Sequence, residues 1–365
     1  MEVVVGEPTR VQTLAEKNPT QVPPEYIQAP ENRPQIKIPT TEDNTSSTVP
    51  VIDLFGFDPD HWGDVRRELG QACKEWGAFQ VTNHGVPFHL LHRMRSVGLS
   101  FFKDSPMSHK LSYACPPGSA ASEGYGSRML VSTSNDTVLD WRDFFDHHTL
   151  PLSRRNPSRW PDFPPNYREV VVEYSDCMKA LAQKLLAFMS ESLGLPSSCI
   201  EDAVGDFYQN ITVSYYPPCP QPELTLGLQS HSDMGAITLL IQDDVGGLQV
   251  LKDGEWVMVQ PLSDAIVVIL ADQTEVLLFL LFIRSQFLAL GARTLFSCFL
   301  FFTFIFFLLL KFIMGILRCD YNLSLLHRVV PRFRNTIPNL LYSVQCSHYD
   351  IELIDSLNIG LMEVD

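Results

Sequence analysis

Downstream of Asp206 the chain is cut into short runs of apolar and β-branched residues, and this punctuation constrains the fold more than any other feature. The runs cover 211–216, 237–241, 248–252, 256–259 and 265–270. Each is long enough for a strand and too short for a stable helix. Between them stand Asp243-Asp244-Val245-Gly246-Gly247, Lys252-Asp253-Gly254 and Pro261, residue types that suit tight turns. Short strands joined by such turns pair antiparallel, and several in succession form a barrel or jelly roll.

The amino-terminal half has a different period. In 62–76 the apolar residues Val65, Leu69, Ala72, Cys73 and Trp76 share one helical face, and Gly77 ends the helix. Phe79-Gln80-Val81 reads as a strand, and Asn83-His84-Gly85-Val86-Pro87 as a turn. A helix is expected over 90–102, loops over 103–135, a strand over 141–145 and a proline-rich loop over 151–165. The longest helix is expected over 167–193, with Val171, Tyr174, Met178, Leu181, Leu185, Phe188 and Met189 in helical period and Gly194 and Pro196 as stops. Residues 1–47 are rich in Pro, Thr, Gln and Asn and read as a flexible arm. The fold class expected is α+β, mainly β: a helical and mixed amino-terminal region followed by an antiparallel β core.

Hydrophobic residues make up 45% of the chain, enough for a sizeable core. The formal net charge of −15 argues against nucleic acid or an anionic membrane surface as the main partner. The 8 cysteines are irregularly spaced, with no CxxC pair, and read as reduced thiols of a cytoplasmic protein. The first ten residues include Glu2 and Glu7 and no apolar core, so no signal peptide is expected.

Chemistry concentrates at Ser230-His231-Ser232-Asp233. On an extended chain, residues two apart point to the same face, so an imidazole and a carboxylate can take adjacent positions on one metal ion. A second histidine from a distant strand would complete a 2-His-1-carboxylate triad, which suits non-haem Fe(II) chemistry because three positions stay open. By spacing alone, a turn or surface pair is the commoner meaning of His-x-Asp.

The surroundings are more specific. Tyr215-Tyr216-Pro217-Pro218-Cys219-Pro220-Gln221-Pro222 lies upstream, Gly246-Gly247-Leu248-Gln249-Val250, Asp253-Gly254-Glu255-Trp256 and Asp272-Gln273-Thr274-Glu275 lie downstream, and Trp76-Gly77-Ala78-Phe79 to Asn83-His84-Gly85-Val86 lies in the amino-terminal half. Over residues 48–275 the chain resembles the plant 2-oxoglutarate- and Fe(II)-dependent dioxygenases that oxidise flavonoids, hormones and related metabolites. That resemblance implies a double-stranded β-helix (jelly-roll) core, and iron held by His231, Asp233 and the histidine of His327-Arg328-Val329. It implies that Tyr216 contacts 2-oxoglutarate, a core aromatic being the equally weighted alternative, and that ascorbate serves as an accessory reductant. Dioxygen and a small-molecule substrate would be the partners, and hydroxylation or desaturation coupled to decarboxylation of 2-oxoglutarate the reaction. His84 is expected to be a structural turn residue, and His147 and His148 loop residues near the substrate entrance.

The resemblance stops at Glu275. His327 stands about forty positions further on than the family spacing, and the extra residues are mostly Phe, Leu and Ile. The uncharged run 294–310 makes 294–317 a transmembrane candidate, although a span there would divide the metal triad. A buried core segment is a second reading. Translated non-coding sequence is the favoured third, since Phe, Leu and Ile share T-rich codons. After His327 the family's Arg-x-Ser, whose arginine pairs with the distal carboxylate of 2-oxoglutarate, is absent, and Ile337 occupies its position. The organisation expected is therefore an arm (1–47), an amino-terminal region (48–165), the long helix and connection (166–205), the oxygenase core (206–275), an apolar insertion (276–315) and a remnant with the distal histidine and a non-family tail (316–365). A catalytically impaired homologue, a mis-spliced product and a membrane-anchored protein are the alternatives to a working dioxygenase.

Overall fold

The computed structural model describes residues 10–33, 48–55, 62–114, 123–126, 138–275, 342–345 and 350–357. The chain divides into two units, residues 1–273 with 340–365 and residues 274–339. All but two of the described residues belong to the first unit. The extra apolar residues 276–317, His327 and Ile337 lie outside the described residues.

In chain order the elements are α1 (Val11–Glu16), β1 (Val51–Asp53), α2 (Trp62–Glu75), β2 (Ala78–Thr82), α3 (Phe88–Asp104), α4 (Met107–Leu111), β3 (Gly124–Gly126), β4 (Asp143–Leu150), α5 (Tyr167–Ser192), α6 (Cys199–Val204), β5 (Gln209–Tyr216), β6 (Leu226–His231), β7 (Ile237–Ile241), β8 (Leu248–Lys252), β9 (Glu255–Met258), β10 (Ile266–Leu270), β11 (Tyr342–Gln345) and β12 (Asp350–Leu357). The larger sheet runs β1-β2-β10-β7-β12-β5-β4-β3 and the smaller β6-β11-β8-β9.

Burial explains why the central strands are apolar throughout rather than alternating. β7 and β10 are buried at every position. One face of the larger sheet meets the helices, with α3 and α5 packed on it. The other meets the smaller sheet, where Tyr216, Leu240, Val267 and Ile269 form one core with Leu228, Leu248, Val250 and Val259. Strands covered on both faces gain nothing from polar residues on either. The helices approach closely: a Cβ on Gly98 of α3 would lie 2.9 Å from the Val213 side chain of β5. β8 and β9 form a hairpin through Asp253 and Gly254, both at positive φ (51° and 86°), the backbone of a two-residue turn matched to strand twist.

Four expectations change. The amino-terminal arm is packed where it is described: Val11, Val22 and Tyr26 form a core with Trp141 and Cys219. Its Val11 and Gln12 amides donate to the two Asp143 carboxylate oxygens, each at 3.0 Å. The stretch expected as loops contains α4 and β3. His147 and His148 are buried residues of β4, not loop residues, because the strand continues to Leu150. Finally, the carboxy-terminal tail supplies two strands. β12 inserts between β5 and β7, and β11 between β6 and β8. The tail enters because β5 and β7 would otherwise leave unpaired edges inside the sheet.

Candidate functional site

β6 ends at His231, and Asp233 stands just beyond it in a turn. Backbone bonds from the segment after β10 hold that turn: Asp272 N–H donates to the Asp233 carbonyl at 2.9 Å and Gln273 N–H to the Gly235 carbonyl at 3.0 Å. Asp272 and Gln273 thus brace the His-x-Asp turn. His231 Nδ1 donates to the Gln229 carbonyl at 2.9 Å, the tautomer in which Nε2 carries the lone pair. The Thr238 hydroxyl donates to Asp233 Oδ2 in a short contact. His231 Nε2 and Asp233 Oδ1 face each other at 3.7 Å.

This donor pair fits a divalent first-row metal. Bonds of about 2.0–2.2 Å from each atom to one ion span that separation. In each residue the second polar atom is tied down, the arrangement that orients metal ligands. Among the described residues no group of three or more His, Cys, Asp or Glu converges on a metal position. The backbone register sets Tyr342 of β11 opposite His231.

Tyr216 is fully buried at the end of β5, in the core between the sheets and in one cluster with Leu228 of β6. His84 behaves as a turn residue: its Nδ1 accepts from Val86 N–H at 3.1 Å and its Nε2 donates to the Asp264 carbonyl at 2.8 Å. His147 is also committed internally, through Nδ1 to the Ile211 carbonyl at 2.8 Å and Nε2 to the Tyr167 hydroxyl at 3.1 Å.

Two residues of the site escape sequence reasoning. Asp140 accepts from the Gln229 amide N–H at 3.0 Å and from its side chain at 3.1 Å, fixing the residue whose carbonyl holds His231. Arg142 is buried at 1% exposure and donates to the Ser214 hydroxyl at 3.2 Å, beside the Tyr216 phenol. The only hint is Asp140-Trp141-Arg142, polar residues flanking a tryptophan just before a strand. Nothing in that pattern says that the segment runs beside β6, as the bond from Trp141 N–H to the Leu226 carbonyl shows.

Comparison with known proteins identifies the family. Residues 49–164 match the family described as the amino-terminal region of the non-haem dioxygenase in morphine synthesis, and residues 207–286 match the 2OG-Fe(II) oxygenase superfamily. Jasmonate-induced oxygenase 1 of Arabidopsis thaliana is 40% identical over 272 residues, 73% of this chain and 66% of that protein. Jasmonate-induced oxygenase 4 of the same plant is 39% identical, covering 73% of this chain and 74% of its own length. Flavone synthase of Petroselinum crispum is 35% identical over 73% of this chain and 71% of its own. The crystal structure of JOX2 in complex with 2OG, Fe and JA superimposes with a TM-score of 0.71 at 30% identity, over 97% of this chain and 84% of that one.

Proposed function

The chain belongs to the 2-oxoglutarate- and Fe(II)-dependent oxygenases that act on small plant metabolites and hormones, and from that premise we propose which of its residues do the work. His231 Nε2 and Asp233 Oδ1 hold the iron, with His327 as the third protein ligand. Tyr216 contacts 2-oxoglutarate from the core between the sheets. Iron bound there supplies the oxidising chemistry, coupling decarboxylation of 2-oxoglutarate to hydroxylation or desaturation of the substrate, with ascorbate as accessory reductant. The relatives named for jasmonate and flavone chemistry point to a hormone or flavonoid-sized metabolite. We place the protein in the cytoplasm, in keeping with the free thiols of Cys73, Cys177 and Cys199.

The observation that carries the reading is the 3.7 Å approach of Nε2 and Oδ1 with each opposite atom already bonded. The imidazole tautomer and the carboxylate rotamer are set before metal arrives, so little ordering remains to be done on binding. The test is Mn(II) titration of wild type, His231→Ala and Asp233→Ala, followed by calorimetry and by the loss of the free-ion paramagnetic resonance signal. Wild type should bind one equivalent, and each variant should lose binding by 100-fold or more. Stoichiometric Mn(II) in either variant would refute the assignment.

A second reading, an impaired oxygenase, rests on β12. Its register brings Asp350 opposite Tyr216 and Glu352 opposite Ser214, and the strand carries no Lys or Arg. Succinate release at rates ordinary for this class of enzyme would overturn that reading.

A further inference from the structure

We propose that Arg142 binds the distal carboxylate of 2-oxoglutarate inside the barrel. The inference rests on the reading of His231 and Asp233 as the metal-holding pair.

The eight strands β5 to β12 contain a single Lys or Arg, Lys252. Lys252 sits at the β8–β9 hairpin and pairs with Asp253 at 2.8 Å. The strands therefore offer an anionic co-substrate no free lysine or arginine of their own. Arg142 enters from outside them, just ahead of β4. The pairing of Asp143 with Tyr215 and of Phe144 with Ser214 sets Arg142 beside Tyr216. Its guanidinium interacts with the Tyr216 phenol and donates to Ser214, and Tyr216 belongs to the core between the sheets. One side is covered by the Phe144 ring, whose centroid lies 5.3 Å from Cζ.

The Nε–H of this buried side chain has no hydrogen-bond partner among the described residues. Buried guanidinium donors are normally satisfied, and a planar fork with a spare N–H suits a carboxylate. 2-Oxoglutarate brings two carboxylates, one beside its keto group and one at the far end. The segment that carries Arg142 also carries Asp140, which fixes Gln229 and through it His231. One stretch of chain thus fixes the residue that holds His231 and, through Arg142, meets Tyr216 in the core between the sheets.

The competing role is a counter-ion, since Asp140 and Asp146 lie in its field. A counter-ion role predicts lost stability without lost discrimination between 2-oxo acids. The test is the affinity of Mn(II)-loaded protein for 2-oxoglutarate and for 2-oxovalerate, which lacks the distal carboxylate. Wild type should favour 2-oxoglutarate by roughly 10–100-fold, the range for hydrogen bonds to a charged group. Arg142→Met should bring the ratio to within about threefold while 2-oxovalerate binding holds, and Arg142→Lys should fall between. If the methionine variant does not fold, Arg142→Lys and Arg142→Gln carry the same comparison. An unchanged ratio in a variant that still takes Mn(II) overturns the assignment alone. Failure of wild type to bind Mn(II) overturns the metal reading, and this proposal with it.

Discussion

Asp146 and His147 are neighbours on β4 that enter opposite sides of the sheet, Asp146 against Thr212 and Arg142, His147 against Tyr167 of α5. Burial acts on them with opposite sign. It pushes the Asp146 carboxyl up to about 6 and the His147 imidazole down to about 3, because both lose hydration of the charged form. His147 therefore contributes stability above its unfolded value of 6.5, and that contribution is lost as pH falls below 6.5 toward 3. His148, pushed down to about 4 chiefly by burial, works in the same direction. Asp146 stabilises in the opposite sense, most fully below its unfolded value of 3.8 and less as pH rises through about 6. A tenfold change in proton affinity is worth about 1.4 kcal/mol, and the two imidazoles together are displaced further than the one carboxyl, so the histidines dominate. The expected outcome is a melting temperature that falls between pH 6.5 and 4. His147→Gln should flatten that dependence, by an amount equivalent to about 2 kcal/mol or more over the interval. A variant with the slope of wild type would show that His147 does not govern acid stability.

At the scale of elements, the amino-terminal arm is tied to the segment that supports the site. Leu139 N–H donates to the Glu25 carbonyl at 2.7 Å, and the Tyr26 ring meets Trp141 edge-on at 5.1 Å between centroids. The Gln12 side chain bonds the Phe102 carbonyl, and the buried Lys110 ammonium donates to Gln12 at 2.7 Å. Removing residues 1–33 takes two donors from the buried Asp143 and one acceptor from Lys110. Unsatisfied buried groups cost about 1–3 kcal/mol each, more when charged. The truncated protein should lose at least about 3 kcal/mol in a urea melt. It should also bind Mn(II) more weakly, because residues 138–142 lose their clamp. Full stability after truncation would mean that the arm only rests on the surface.

For the molecule as a whole, barrel closure depends on residues 342–345 and 350–357. β12 pairs with β5 from Asp350 to Ser356 and with β7 from Leu353 to Leu357. A chain ending at Asn339 would open two long strand edges in the larger sheet and leave the face of the core uncovered. Its expected behaviour is loss of the cooperative melt and of near-ultraviolet dichroism, with aggregation. A cooperative transition like that of the full chain would show that the tail is dispensable. Among the described residues, no helix is long and apolar enough to cross a membrane.

What the sequence determined by itself is local. Ile237–Ile241 and Leu248–Lys252 are strands with the bounds that their apolar runs and turn residues mark, and the long helix that the 3.6-residue period places at 167–193 is found at Tyr167–Ser192. Such features depend on backbone geometry within a few residues. The motifs around them, rather than the His-x-Asp spacing alone, marked His231 and Asp233 as the candidate metal-holding pair. Only the tertiary structure decided the rest. Asp140 and Arg142 carry no motif, and they matter through partners brought near by sheet pairing. A tail without family resemblance could still enter the barrel, because vacant strand edges select for backbone hydrogen bonding and tolerate many side chains. Histidines that read as loop residues became core because β4 runs on beneath α5. Periodicity reports which face of an element is apolar, and packing alone decides what that face meets.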